Sequence, residues 1–165
     1  ENLLKRLSKI FKNSHDEIVE LYSDYISDEN YGYLLSSIMT DLTFGSPVEE
    51  LLSLNNNSYG YIFTPQSPLL NGELGAFHAS ELPYIFGVQN KLPYQKWSPD
   101  YRDKTAEVMQ DAWVNFAKNG NPSSNNFEWK PFSHSSNYAL IKDSIKNINS
   151  PFKERYKLLN HAKNF

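Results

Sequence analysis

The apolar positions of this 165-residue chain fall into helical stripes first and strand-like runs later. Leu3, Leu4, Leu7, Ile10 and Phe11 recur at the spacing that lines one face of an amphipathic helix. Ser14-His15-Asp16-Glu17 reads as a capping box, the serine bonding forward and the glutamate back. It should start a second helix that buries Ile18, Val19, Tyr22, Tyr25 and Ile26. A third helix is predicted over 31–42, stopping near Gly45. Ser46-Pro47-Val48-Glu49 then restarts the pattern with a serine cap, proline at the first helical position and glutamate at the third. The first third of the chain is therefore expected to be helical.

After the loop at Asn55-Asn56-Asn57 the period changes. Tyr59-Gly60-Tyr61-Ile62-Phe63 is short, β-prone and apolar on both faces, as in a strand covered from both sides. A long helix is predicted over 101–118, with Ala106, Met109, Ala112, Trp113, Phe116 and Ala117 on one face. Lys118-Asn119-Gly120-Asn121-Pro122 should end it with a basic last turn, a glycine cap and a proline beyond. Tyr138-Ala139-Leu140-Ile141 reads as a late strand and 152–162 as a closing helix. Between the strand and the long helix lie more than thirty residues rich in proline and glycine, with at most short helical turns. Compact domains rarely keep connections beyond about 12–15 residues unless they build a site. His78 sits inside this one.

Composition narrows the possibilities. A net charge of −3 with singly scattered basic residues gives no field for nucleic acid or an acidic membrane. The absence of cysteine rules out disulfides, thiolate metal sites and a cysteine nucleophile. No apolar run approaches the roughly 18–20 residues that span a bilayer. The chain begins inside a helical pattern with Glu1 rather than Met, so it is expected to be a fragment or a processed chain. A cytoplasmic location is the default expectation. Asn56-Asn57-Ser58 would be a glycosylation sequon in a secreted protein.

The candidates for chemistry are few. His15, His78, His134 and His161 show no metal-ligand spacing, so neither a metal nor a cofactor is expected. His15 lies in a cap, His134 in a serine-rich turn and His161 near the end, all places where surface histidines are ordinary. Asp41 and Glu81 read as capping or ion-pairing carboxylates before acid/base groups; Glu81 could tie its loop down by accepting a backbone or arginine hydrogen bond. Trp113 and Phe116 sit at helical spacing, which favours core packing over a ligand platform. No G-x-S-x-G occurs, hence no nucleophile elbow. From the residues alone, His78 is either a catalytic base on a long loop or a satisfied structural histidine.

Four segments, in order, carry a resemblance. Gly75-Ala76-Phe77-His78-Ala79-Ser80-Glu81-Leu82-Pro83-Tyr84-Ile85-Phe86-Gly87 closely resembles the histidine segment H-x-x-E-L-P-[FY]-[VI]-F-G of type B carboxylesterases and cholinesterases. Upstream, Asp41, Phe44 and Pro47 are similar to that family's D-x-x-F-x-x-P helix. Downstream, Trp113 to Pro122 resembles its W-x-x-F-A-x-x-G-x-P helix end. Trp129-Lys130-Pro131-Phe132 with the 138–141 run resembles its closing W-P-x-[YF] and late strand, Lys130 being an insertion. The flavour is nearest to the family's microbial p-nitrobenzyl esterases.

The resemblance implies an α/β class chain, the C-terminal portion of an α/β-hydrolase fold. Residues 1–54 would be a helical lid and pocket-wall region, and 58–165 the last main parallel strand, histidine loop, long helix, late strand and terminal helix. By position it assigns His78 alone, as the general base of a Ser-His-acid triad hydrolysing carboxylic esters. The serine, the acid and the glycine-rich oxyanion hole have no counterpart here. The expected partners are therefore a small-molecule ester and a complementary N-terminal part carrying Ser and Glu or Asp, and the chain alone should be inactive. The strand's neighbour and much of its covering layer are expected in that part too. A rival implication is a non-catalytic, cholinesterase-like adhesion module, against which the retained His78 speaks.

Overall fold

The computed structural model describes residues 11, 15–25, 31–97, 102–133 and 136–163. The predicted first helix, Phe11 apart, and Ser14, Ile26 and His134 lie outside the described residues. In chain order the helices are α1 (His15–Leu21), α2 (Tyr31–Thr40), α3 (Ser46–Ser53), α4 (Leu82–Ile85), α5 (Arg102–Asn119) and α6 (Lys153–Lys163). The strands are β1 (Gly60–Phe63), β2 (Asn137–Ile141) and β3 (Ile145–Asn149). The chain divides into two compact units, 1–54 with 151–165, and 55–150.

In the helical unit, Ile18 of α1 and Tyr22 just beyond its end, Leu34 and Ile38 of α2, and Leu159 of α6 bury together with Phe11. The i, i+4 pairs put each set on one helix face, and each such side chain contributes roughly 1.5–3 kcal/mol by leaving water. Val19, expected in this core, is only half-buried. The expected break at Gly45 does not occur. Asp41–Gly45 is one π turn that joins α2 to α3, with the Ser46 N–H donating to the Asp41 carbonyl. Gly45 and Ser46 keep helical dihedrals, and neither terminus has a side-chain cap. Ser46 is buried instead, its hydroxyl donating to Asn160 Oδ1. The wider turn accommodates Pro47, which has no N–H to give and whose ring crowds the preceding turn of an ordinary α-helix.

In the second unit, β1 pairs in parallel with β2 through Gly60–Tyr138 to Phe63–Ile141, and β2 pairs antiparallel with β3. The neighbour expected in a missing part is thus corrected on one side: β2, from this chain, fills it. The sheet order is β1-β2-β3 among the described residues, so the other edge of β1 is an edge of the sheet. Alternation sends Tyr61, Phe63, Ala139, Ile141 and Ile145 to one face. There they meet Ala106, Met109 and Ala112 of α5, with Tyr84 of α4 and Trp129. Edge-on ring contacts join Tyr61 to Trp113 at 5.2 Å and Phe63 to Tyr84 at 5.2 Å. The Trp129 indole N–H donates to the Gly60 carbonyl at 3.2 Å. Ile62 and Leu140, on the opposite face, are only half-buried. The helix end behaves as its residues indicate: Gly120 takes φ +69 and returns its N–H to the Phe116 carbonyl. Phe116 differs from expectation. It is 49% exposed, because it lies on the last turn of α5, and it lines an apolar cavity of about 180 Å³ with Tyr59, Tyr61, Trp113 and Trp129.

Candidate active site

The end of β1 sets the start of the histidine loop. Both the N–H and the hydroxyl of Thr64 donate to the Ile141 carbonyl, at 2.9 and 3.0 Å, so the chain leaves the sheet pinned to β2. Pro65 and Ser67 are buried next, and the Ser67 N–H donates to the Gly75 carbonyl at 2.9 Å. That bond closes the segment carrying Leu70 and Asn71, both at positive φ, and delivers the chain to Phe77.

His78 occupies a tight turn. The Ser80 N–H donates to the Phe77 carbonyl at 3.0 Å, which makes His78 and Ala79 the two central residues. Ala79 has φ +66 while His78 is not in the left-handed region, the sign pattern of a type II turn. Glycine or asparagine ordinarily takes the second position, and a Cβ there costs about 1–2 kcal/mol. His78 itself is exposed to solvent.

The far side of the turn is anchored. Leu82–Ile85 forms one helical turn with Pro83 near its start, and Tyr84 is buried against Phe63 and α5. Gln110 Nε2 donates to the Tyr84 carbonyl at 3.2 Å, and the same amide packs under Gly87, which has φ +65. The loop is also gripped by rings. Phe77 meets Trp97 edge-on at 5.5 Å, and Trp97 meets Tyr94 edge-on at 5.1 Å. Sequence reasoning passed over Trp97 and Tyr94; their only local signal was a pair of aromatics beside a proline in a long loop.

The other candidates resolve into structural roles. Glu81 is the N-cap residue of α4 and makes no side-chain cap bond there. Its charge acts on Tyr61, whose hydroxyl is pushed up to about 12, by burial first and by Glu81 second. Asp41 is buried in the helical unit, where it accepts a 2.6 Å hydrogen bond from Tyr22 and lies 3.7 Å from the Arg155 guanidinium. Burial raises the Asp41 carboxyl, with Tyr22 and Arg155 opposing the shift. Arg155 also stacks over the Tyr22 ring at 4.7 Å. His161 lies exposed on α6. Among the described residues no group of three or more His, Asp or Glu side chains gathers to hold a metal ion.

Residues 2–159 match the model of the carboxylesterase family. The chain is 32% identical over 126 residues to the para-nitrobenzyl esterase of Bacillus subtilis, covering 72% of this chain and 25% of that protein. It is 30% identical over 146 residues to the bile salt-activated lipase of Rattus norvegicus, covering 79% of this chain and 23% of that protein. The chain thus spans about a quarter of the length of these curated relatives. Among solved structures, the carboxylesterase of Geobacillus stearothermophilus superposes with a TM-score of 0.75 at 20% identity, over 95% of this chain and 34% of that one. A PNB esterase superposes with a TM-score of 0.67 at 26% identity, over 95% and 32%. With β1, the histidine loop and α5 in place, this chain belongs to the carboxylesterase family and forms part of an α/β-hydrolase fold.

Proposed function

We propose that His78 is the general base of a serine esterase, and that the serine, its acid partner and the oxyanion hole come from polypeptide outside these 165 residues. The observation that carries the reading is the placement of His78 in a family member. It stands exposed on a tight turn, in the loop that leaves a parallel strand, with both arms of that loop tied to the sheet and α5. A base must reach a hydroxyl that approaches from elsewhere, and an exposed imidazole on a fixed turn meets that geometric requirement.

In the proposed reaction a serine hydroxyl attacks the ester carbonyl while one His78 nitrogen takes its proton. The resulting imidazolium gives that proton to the departing alcohol, leaving an acyl-serine. Water then repeats the sequence: His78 takes a proton as the water attacks, and returns it to serine as the acid leaves. A carboxylate on the second ring nitrogen would hold the tautomer and stabilise the imidazolium. No nucleophile elbow occurs in the sequence, so the chain by itself should not turn over esters.

The test combines this chain with a complementary polypeptide that supplies the serine and the acid, using p-nitrophenyl acetate as substrate. The complex should hydrolyse it and the separate chain should not. His78→Ala should lower kcat by about 10⁴-fold or more, because triad members act as a unit. Undiminished turnover by that variant, or hydrolysis by the purified chain alone, overturns the reading. A complex that binds its complement but neither hydrolyses esters nor reacts with a serine-directed phosphonate would point to an adhesion module instead.

A further inference from the structure

We propose that Trp97 is a positioning residue for His78, acting through the ring of Phe77. The functional half of this rests on His78 being the esterase base; the mechanical half does not. His78 is exposed, so burial does not fix its ring, and the turn that carries it includes a left-handed alanine. A turn holding a β-carbon in that region stays in place only when its surroundings over-determine it. On the carboxyl side the restraint is clear, since Tyr84 is buried against α5. On the amino side it is Phe77, whose carbonyl accepts the bond that closes the turn and whose ring meets Trp97 edge-on at 5.5 Å and 68°.

Trp97 is well placed to serve as that anchor. It follows the 3-10 turn Tyr94–Lys96, its N–H donates to the Tyr94 carbonyl at 2.8 Å, and its ring lies perpendicular to Tyr94 at 5.1 Å. The contact therefore joins the residue just before His78 to one near the far end of the same loop, residue 77 to residue 97. Core filling is the rival explanation for an aromatic trio, and the packing argues against it. Phe77, Tyr94 and Trp97 are each half-buried, and none belongs to the buried cluster around Met109. Rings that stabilised the core would sit in it; these three link loop to loop beside a candidate base. Trp97 thus fixes where the His78 turn sits, and a shift of about 1 Å at a catalytic group can cost about 100-fold in rate.

Two measurements separate this proposal from the esterase reading. The first is hydrogen–deuterium exchange by mass spectrometry on the 165-residue chain. In Trp97→Ala, peptides containing Ser80, whose amide closes the turn, should exchange about tenfold faster or more, while peptides from β2 stay protected. Trp97→Phe should keep the wild-type rate, and Trp97→Leu, which keeps bulk without an aromatic edge, should behave like the alanine variant. The second is ester hydrolysis by the chain with its complement: Trp97→Ala should lower kcat about 10–100-fold with KM within about twofold, and Trp97→Phe should restore most of it. Unchanged Ser80 exchange in Trp97→Ala, or wild-type kcat in that variant, overturns the proposal. If the wild-type complex hydrolyses nothing, the esterase reading fails and the exchange measurement alone decides the role of Trp97.

Discussion

Tyr61 shows how a single side chain in this fold couples stability to pH. It is half-buried on the face of β1 that meets α5, beside Trp113, and feels the negative charge of Glu81. Its phenol is held up to about 12, against an ordinary value of 10.0. Below pH 10 the folded and unfolded chains both keep the proton, and the contribution is complete. Between pH 10 and about 12 the unfolded chain releases a proton that the folded chain retains, so stability falls as pH rises. Trp97, Trp113 and Trp129 all lie in the 55–150 unit, so tryptophan fluorescence reports on it. The urea midpoint of the wild type should drop more steeply from pH 10 to 12 than that of Tyr61→Phe, by at most one proton's worth of linkage. Parallel curves for the two proteins would contradict this. His78 differs from Tyr61 in kind: its neighbourhood in sequence singled it out, whereas nothing local marked Tyr61 as the residue that Glu81 acts on.

At the scale of elements, the continuous run from α2 through the π turn into α3 departs most from the sequence pattern. Serine, proline and glutamate at 46, 47 and 49 form a normal start signal, yet the helix passes through them. The reason lies over a hundred residues away. A β-carbon added at Gly45 would come within 2.5 Å of the Tyr156 hydroxyl and 2.7 Å of its ring, so α6 packs directly on that turn. Asp41, at the head of the same turn, is bonded by Tyr22 of the α1 region and paired with Arg155 of α6. Closing these contacts holds the backbone helical where local chemistry favours a break. Gly45→Ala should therefore destabilise the helical unit by about 1–3 kcal/mol, as over-packing does, read as a lower thermal midpoint by circular dichroism. Gly45→Ala with Tyr156→Phe should recover part of the loss; equal stability of Gly45→Ala and wild type would show that Tyr156 yields easily. β3 is the converse case. Ile145-Lys146-Asn147-Ile148-Asn149 lacks alternation and is rich in asparagine, so it gave no strand signal. It forms because β2 offers a ladder, and because Asn147 takes bonds from Lys130 N and Asn137 Nδ2 and donates to the Glu128 carbonyl.

For the whole molecule, exposed apolar surface sets the behaviour. Phe86 is 72% exposed and Leu54 80% exposed, with Leu35, Met39, Val48 and Leu51 in the helical unit and Leu70, Leu82 and Leu92 in the other also open to solvent. β1 adds a strand edge and a half-covered face. Unpaired edges and apolar surfaces of this kind associate with one another or with a complement. The isolated chain is expected to elute from size exclusion as dimers or larger species and to bind a dye for exposed apolar surface. Adding a complementary polypeptide should suppress both, and a monodisperse, dye-silent monomer would contradict the expectation.

Sequence by itself located most of the local elements among the described residues and singled out one candidate residue, His78. Periodicity located α5, its glycine stop, β1 and β2, because those features depend on neighbours three, four or two positions away. The motif around His78 marked the loop and its candidate residue for the same reason: it is contiguous. Tertiary structure alone decided that β2, close to the end of the chain, lies beside β1, that the helix runs through Ser46, and that β3 is a strand. It also brought Trp97 to Phe77. Each of these is settled by a contact beyond the local helix or strand period, with β2 next in sequence for β3 and with distant residues for the others, where the free energy of closing the contact outweighs a local preference of about 1 kcal/mol.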